Sequence, residues 1–487
     1  MTNSILNHLQ PAKVFEYFQK ISEIPRGSGN ERAISDFLIE FSKKHHLYHI
    51  RDNALNIIIK KRASPGYENK PIVVLQGHMD MVCEKNEGTI HDFEKEPIKL
   101  RIVDDMIYAT GTTLGADNGV AVAMGLALLS SNEITHPAIE LILTTDEERG
   151  MAGAMQLDPK NIDGRILINL DSAEEGVFTV GCAGGPTVKT NIPIIWNDST
   201  SNLLPHIIKI RGLKGGHSGE DIHRGRANVH KLMGRILMAL NSEVEFSIAS
   251  INGGMKYNAI PREASCTILL KSDDKIKAYK KVIEYENIFK YEFRVADPNI
   301  EISFEAIVEE IPKVFSTETK NKIMNYLYLI DNGINSMSMD IHGLVESSVN
   351  LGVVTTKLNE VEFLSLIRSS VKSLYIEMFQ RIEAFTKIIG AEVEMVSNCP
   401  LWQYNSNSKI RTIFEKVYTK MYGQMPEITI LHAGLECGIF EEKFNGEMDM
   451  ISFGPNMYEL HTPEEHLSIS SIQRSWDFLL QVLKEIK

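Results

Sequence analysis

The chain has 487 residues, 43% of them hydrophobic and 24% charged, which are ordinary globular proportions with length for two or three domains; disorder and fibrous structure are excluded. A formal net charge of −13 argues against a large phosphate-binding surface, so nucleic acid is not an expected partner, although a local basic pocket for a small anion is compatible with it. The longest clean apolar run, Val120 to Leu129, is too short to span a bilayer, and the opening stretch MTNSILNHLQ has neither a basic segment nor a long apolar core. Five cysteines (Cys83, Cys182, Cys266, Cys399 and Cys437) with no CxxC pair signal neither a disulfide framework nor a zinc ribbon, and a reducing cytoplasm with no membrane partner is expected.

In chain order, helices are predicted over Ala12 to Ile24 and Glu31 to Lys44, the second with Asn30 as its N-cap. Short β-branched runs then alternate with helical stretches, an α/β pattern. Four runs matter most: Ile72 to Leu75, Ile139 to Thr145, Ile166 to Leu170, and Met450 to Phe453. Each has the length of a parallel strand buried on both faces. His78 and Asp80 follow the first run, Asp146-Glu147-Glu148 the second and Asp171 the third, while His461 lies a few residues past the fourth. Open parallel sheets bind ligands outside the carboxyl ends of their strands, so these residues are expected to converge on one site.

Between roughly Thr187 and Ser397 the texture changes to longer alternating strands, such as Ile207 to Arg211 and Ala264 to Lys271, with helices such as Asn228 to Leu240. Because His461 must return to the site begun by His78, this middle segment reads as an insertion. Residues 1–186 and 398–487 are expected to form a discontinuous catalytic domain with a mostly parallel central sheet, and residues 187–397 an inserted α+β lid. Each half of the lid carries a helix and long strands, as two diverged copies would, without a strong residue-by-residue repeat. A final helix, about Ser470 to Ile486, has Ile472, Trp476, Leu479, Leu480 and Leu483 at helical spacing and closes the sheet.

Each candidate site residue has a bland alternative when taken alone. His78 can be a histidine satisfied by its own loop, and Asp117, in Gly111-Thr112-Thr113-Leu114-Gly115-Ala116-Asp117-Asn118-Gly119, can be the N-cap of the helix beginning near Val120. Glu147 and Glu148 can belong to a solvated loop, and Asp171 is equally ambiguous. Together they are harder to dismiss. Two histidines and several carboxylates at strand mouths supply the N and O ligands that Zn²⁺ accepts. A two-metal site needs a bridging carboxylate, terminal ligands on each ion and room for water, and His78, Asp117, Glu148, Asp171 and His461 suffice. Asp80 is then free to orient the ring of His78, and Glu147 to take a proton from water.

Gln76-Gly77-His78-Met79-Asp80-Met81-Val82-Cys83-Glu84-Lys85-Asn86, Gly115-Ala116-Asp117-Asn118-Gly119, Thr145-Asp146-Glu147-Glu148 and Asn169-Leu170-Asp171 resemble the zinc aminopeptidase and dipeptidase family that includes peptidase T, carboxypeptidase G2 and aminoacylase-1. The resemblance runs from the first helix to the last, and His432-Ala433-Gly434-Leu435-Glu436-Cys437-Gly438 favours the branch that cleaves Xaa-His dipeptides. It implies two Zn²⁺ per chain, with Co²⁺ or Mn²⁺ as substitutes: His78 and Asp171 on one ion, Glu148 and His461 on the other, Asp117 bridging, and Glu147 as general base. It also implies a cis peptide between Asp117 and Asn118. In the lid, Gly215-Gly216-His217-Ser218-Gly219 and Asn258-Ala259-Ile260-Pro261 resemble elements in which the histidine stabilises an oxyanion and the asparagine holds substrate, with Gly434 also against the substrate. The strand after Asn258 often ends in an arginine for the substrate carboxylate. Here that place is Lys271, and Arg368, in Phe363-Leu364-Ser365-Leu366-Ile367-Arg368, is the expected anchor instead.

The expected activity is zinc-dependent hydrolysis of dipeptides, preferentially Xaa-His and including β-alanyl-histidine. Another exopeptidase, or an N-acyl amino acid deacylase of the same family, would use the same metals. A catalytically silent metal-binding protein would have no need of Glu147. No Gly-x-Ser-x-Gly elbow or Gly-x-x-x-x-Gly-Lys-Ser/Thr loop is present, which disfavours a serine hydrolase and a P-loop nucleotide hydrolase. The lid is long enough to supply His217, Asn258 and Arg368 from one chain, so a homodimer is compatible with the reading but not needed for catalysis.

Overall fold

The structure is a computed structural model that describes residues 5–486; Met1–Ser4, the start of the stretch MTNSILNHLQ, and Lys487 lie outside the described residues. Helix α1 (Ala12–Ser22) places Val14, Phe15, Phe18 and Ile21 on one fully buried face, the spacing of an amphipathic helix. Helix α2 (Arg32–Lys44) begins later than predicted. Glu31, not Asn30, stands at its N-cap position, and no side chain caps the helix. The Glu31 carboxylate instead accepts the amides of Gly29 and Asp146, at 2.9 and 3.1 Å, and so braces the loop before Glu147.

Strands β1 (Tyr48–Arg51) and β2 (Ile57–Lys61) precede β3 (Val73–His78), every residue of which is buried. The strand outlasts its apolar run because Gln76, Gly77 and His78 continue the parallel ladder opposite Ile142, Leu143 and Thr144. Helix α3 (Ala116–Ser130), which contains the run Val120 to Leu129, is buried along nearly its whole length. Its small residues let it press on the sheet: a Cβ at Gly125 would lie 2.6 Å from Leu141, so a larger residue there would cost about 1–3 kcal/mol of overpacking. Among the described residues, no helix is long and apolar enough to cross a membrane. Strands β4 (Ile139–Thr144), β5 (Ile166–Asn169) and β6 (Val177–Cys182) follow.

The chain then enters a second compact unit, residues 182–401 with 431–434. Its strands of six or more residues and its α-helices are β7 (Gly185–Pro193), β8 (Leu203–Arg211), α4 (Val229–Asn241), β9 (Phe246–Gly253), β10 (Ala264–Lys271), α5 (Lys275–Glu292), β11 (Glu301–Ala306), α6 (Thr317–Leu329), β12 (Val345–Thr356), β13 (Glu360–Ser369), α7 (Lys372–Ile389) and β14 (Glu392–Cys399). They build one large sheet in the order β11-β8-β10-β9-β12-β13-β7-β14. Two sets of the same topology lie side by side. The set β8-α4-β9-β10-α5-β11 and the set β7-α6-β12-β13-α7-β14 each place their strands in the spatial order fourth, first, third, second. They meet where β9 pairs with β12, Asn252 opposite Thr355 and Gly253 opposite Val354. The first set is inserted after the first strand of the second. All four helices share one apolar core with the sheet, including Val188, Leu237, Ile268, Phe289, Tyr326, Phe363 and Met378.

Residues 5–181, 402–430 and 435–486 form the first unit. Its later elements are α8 (Lys409–Tyr422), β15 (Glu427–Leu431), α9 (Glu436–Lys443), β16 (Asp449–Ser452) and α10 (Ile469–Glu485). The sheet order is β1-β2-β4-β3-β5-β16-β6-β15. Strands β4, β3, β5 and β16 are mutually parallel, with antiparallel pairs on either side. This is an α/β fold with a mostly parallel core sheet. The carboxyl ends of β3, β4 and β5 therefore lie together, and the site is built there. None of the five cysteines is in a disulfide.

Candidate metal centre

The site grows from the ends of three neighbouring strands. His78 closes β3, the Asp146-Glu147-Glu148 turn follows β4, and Asp171 follows β5 by two residues. The Met79 amide donates to the Thr144 carbonyl at 2.8 Å, so the first two loops leave the sheet together. Asp117 arrives from the glycine-rich turn at the start of α3. The Asp117–Asn118 peptide is cis, as the resemblance implies. The Asn118 side chain accepts the His78 amide at 3.3 Å and donates to the Leu170 carbonyl at 2.9 Å, which fastens this turn to β3 and β5. Only glycine leaves room for it, because a Cβ at Gly77 would lie 2.3 Å from the Asn118 side-chain oxygen. His461 comes from the last loop of the unit and has φ +63°, an uncommon conformation for a residue with a Cβ.

Asp117 stands between the two histidines. His78 Nε2 is 3.1 Å from Asp117 Oδ1 and 3.5 Å from Asp171 Oδ1, while His461 Nε2 is 3.2 Å from Asp117 Oδ2 and 3.1 Å from Glu148 Oε2. Tetrahedral Zn²⁺ with bonds near 2.0–2.2 Å has ligand-to-ligand edges of about 3.3–3.6 Å. The 3.5 Å separation falls within that range and the 3.1 and 3.2 Å separations lie just below it, and together they group the side chains into two sets sharing Asp117. Asp80 lies behind His78, with Oδ1 3.3 Å from Nδ1. It also accepts Ser28 Oγ at 2.7 Å and the amides of Glu147 and Glu148 at 3.2 and 3.4 Å. A single carboxylate thus orients one histidine and the loop bearing the expected base.

The electrostatics describe a site made for cations. Burial opposes charge on His78, yet Asp171, Asp117 and Asp80 outweigh it and hold the imidazole well above its ordinary range. Hydrogen bonds to Asp117 and Glu148 push His461 up to about 10. The histidines thus take up protons among clustered carboxylates, and a buried oxygen, Glu148 Oε1, has no hydrogen-bond partner among the described residues. The donor set fits two divalent cations. Burial would raise Asp80, but His78, Ser28 and the Glu147 amide bring it down to about 2. Burial pushes Asp171 up to about 6, and raises Glu147 well above the usual carboxylate range with further repulsion from Asp171, Glu436 and Glu148. A carboxyl with that affinity for a proton is suited to accept one and return it.

Three contributors are not among the expected site residues. Arg26 is 2% exposed and donates to the carbonyls of Met79, Asp80 and Gly115. Glu465 is equally buried and accepts the backbone amides of the Asp117 turn. Glu436 lies beneath the site, accepting Gln76 Nε2 at 2.5 Å and Thr144 Oγ1 at 2.7 Å, and burial pushes it up to about 8. It belongs to a motif from which only Gly434 is expected at the substrate.

In the second unit, His217 sits on a two-residue strand paired with Ala259–Ile260, and Ser218 donates its amide to the Asn258 carbonyl at 2.9 Å. Arg368, near the end of β13, directs Nη2 to within 3.4 Å of His217 Nε2 and Nε to within 3.4 Å of Ser218 Oγ. His217, Asn258 and Arg368 are thus gathered into one cluster, and Gly434 lies in the short segment 431–434 of the same unit. Burial and then Arg368 lower His217, which keeps its ring neutral. Lys271 is engaged elsewhere, paired with Glu245 at 3.0 Å.

The sequence matches peptidase family M20/M25/M40 over residues 74–485. The chain belongs to that family and is a hydrolase acting on peptide bonds. Among its relatives is the cytosol non-specific dipeptidase of Escherichia coli K12, 37% identical over 99% of both chains. The crystal structure of aminoacylhistidine dipeptidase from Vibrio alginolyticus superposes with a TM-score of 0.92 at 38% identity, covering 100% of this chain and 99% of that one. Aminopeptidase PepT from Bacillus cereus, at 15% identity and a TM-score of 0.51 over 98% of this chain and 99% of its own, shares the fold.

Proposed function

We propose that this chain is a two-metal dipeptidase of the cytoplasm, acting by preference on Xaa-His dipeptides, β-alanyl-histidine among them. The observation that carries the two-metal reading is Asp117, which turns one oxygen to His78 and the other to His461. The dipeptidase reading draws on the Escherichia coli and Vibrio alginolyticus relatives, and the Xaa-His preference on the latter.

On this reading His78 and Asp171 would hold one zinc and Glu148 and His461 the other, with Asp117 shared between them. When bound, the ions supply Lewis acidity to the scissile carbonyl and make a water molecule acidic near neutral pH. Glu147 accepts a proton from the attacking water as its oxygen bonds to the carbonyl carbon, then returns that proton to the departing amine as the C–N bond breaks. Asp80 keeps His78 and the Glu147 loop in register throughout. His217, neutral, offers an N–H to the developing oxyanion, and Asn258 and Gly434 hold the substrate backbone. Five carboxylates outnumber the charge of two dications, so a dipeptide carboxylate needs a cation of its own; Arg368 supplies a two-pronged one.

The test is a panel of Xaa-His dipeptides, His-Xaa dipeptides, tripeptides and N-acetyl amino acids offered to zinc-loaded protein. Fastest turnover of Xaa-His is expected. Preference for N-acetyl amino acids would make the chain a deacylase, and no turnover of any member would make it a metal-binding protein.

A further inference from the structure

The turn that carries Asp117 is gripped from two sides by buried charged groups that are not among the proposed metal or substrate residues. Glu465 Oε2 accepts the amides of Leu114 and Gly115 at 2.8 and 3.0 Å, and Oε1 those of Ala116 and Asp117 at 2.8 and 3.3 Å. A helix start leaves four amides without intrahelical partners, and a conventional N-cap side chain satisfies one or two of them. Here one carboxylate takes four consecutive amides, from a loop 348 positions further along the chain at Asp117. On the other side, Arg26 Nη2 donates to the Gly115 carbonyl at 2.5 Å, while Nη1 donates to the carbonyls of Met79 and Asp80 at 3.1 and 2.9 Å. The guanidinium thereby joins the Asp117 turn to the loop that carries Asp80.

Space has been left for this arrangement. A Cβ at Gly115 or at Gly119 would lie 2.6 Å from Arg26 Nη2 in each case. Those glycines would otherwise make the turn floppy, since glycine has the most backbone freedom to lose. Among the described residues no ion pair joins Arg26 to Glu465; the two charges meet opposite ends of one peptide group, the Gly115 carbonyl and the Ala116 amide.

We infer that Glu465 and Arg26 are positioning residues for the bridging aspartate, and that their clamp on residues 114–117 is what allows Asp117 to serve two cations at once. The inference rests on the two-metal reading. Bridging demands that both carboxylate oxygens sit within a few tenths of an ångström of separate ion positions. A turn that wandered would present this geometry only part of the time, and apparent affinity falls by the fraction of competent conformers. Both ions share Asp117 and each keeps two other protein ligands, so the loss should show most clearly at whichever ion is bound more weakly.

The experiment compares wild type and Glu465→Gln as metal-free proteins titrated with Zn²⁺ by calorimetry, with amide hydrogen exchange at residues 114–117 and melting temperature measured alongside. The substituted side chain would turn an N–H₂ toward backbone amides that need an acceptor. Expected are faster exchange at 114–117 and a weaker-site affinity reduced about 10- to 100-fold, the usual cost of losing a group that orients a metal ligand. A merely structural role would lower the melting temperature and leave both affinities alone; that result, both ions bound as in wild type, overturns the inference. Should Glu465→Gln fail to fold, Arg26→Lys, which keeps the charge but not the reach to three carbonyls, is titrated in the same way under the same criterion. Wild type that takes up a single ion overturns the two-metal reading itself, and the inference with it.

Discussion

His461 Nε2 lies 3.2 Å from Asp117 Oδ2 although 344 positions separate the two residues in the chain. The contact closes the discontinuous first unit on itself, because the strand that delivers the last loop, β16, pairs in parallel with β5. A residue far from the other site residues in sequence is thereby made their neighbour, and its position depends on the second unit being an insertion that returns the chain to where it left.

Glu147→Gln is expected to retain fold and metal but to lose about 10² to 10⁴ in kcat, because an amide cannot accept the proton of the attacking water. Steady-state kinetics with elemental analysis of the same sample checks this. Near-normal turnover would refute the base role. In parallel, Asp80→Ala should weaken metal binding less than His78→Ala, since Asp80 acts on the ligand and not on the ion.

Arg368→Lys should raise KM for dipeptides with free carboxylates far more than it lowers kcat, the mark of lost ground-state binding. A charged, two-pronged hydrogen bond is worth about 1.5–3 kcal/mol, or roughly 10- to 100-fold in kcat/KM. A dipeptide amide, lacking the carboxylate, should be indifferent to the substitution. Equal losses for the two substrates would remove Arg368 from the carboxylate site.

Catalysis should be complete within one chain. Mixing His217→Ala with Glu147→Gln protein under conditions of demonstrated subunit exchange is expected to leave the mixture inactive. Recovered activity would mean that His217 serves the site of a partner subunit.

Acid should destabilise the second unit through His230. This side chain on α4 is buried, and burial pushes it down to about 4. The unfolded chain protonates near 6.5 while the folded protein does not, so the unfolded state binds more protons between these values and stability falls with falling pH across that window. The contribution is fully present above about 6.5 and amounts to about 3 kcal/mol lost by pH 4. Urea denaturation midpoints measured between pH 7 and pH 4.5 should fall more steeply in wild type than in His230→Gln; identical slopes would contradict the assignment.

Strand ends were the legible part of the site. Parallel strands buried on both faces read as unbroken β-branched runs, so β3, β4 and β5 declare themselves, and acids or histidine directly after them mark the binding edge. The boundaries that shifted did so where tertiary bonds decided: β3 continues through Gln76-Gly77-His78 because β4 pairs with it, and Asn30 yields the N-cap position to a Glu31 that is occupied with Asp146. Arg26 and Glu465 were not legible. Each sits in an irregular loop without periodicity, and its partners are backbone atoms, which leave no mark on side-chain pattern. The topology of the second unit was hidden for a different reason. Because β7 precedes the set that begins with β8 while α6 follows it, a linear comparison of two successive halves does not align the equivalent strands.

The most direct test of the account is the number and placement of metal ions. Protein stripped with chelator and titrated with Zn²⁺ should bind two ions per chain, and anomalous diffraction from the loaded crystal should place them about 3.5 to 4 Å apart, one on His78 and Asp171, the other on Glu148 and His461, with Asp117 between. A single ion at saturation, or one ion ligated by both His78 and His461, would contradict it.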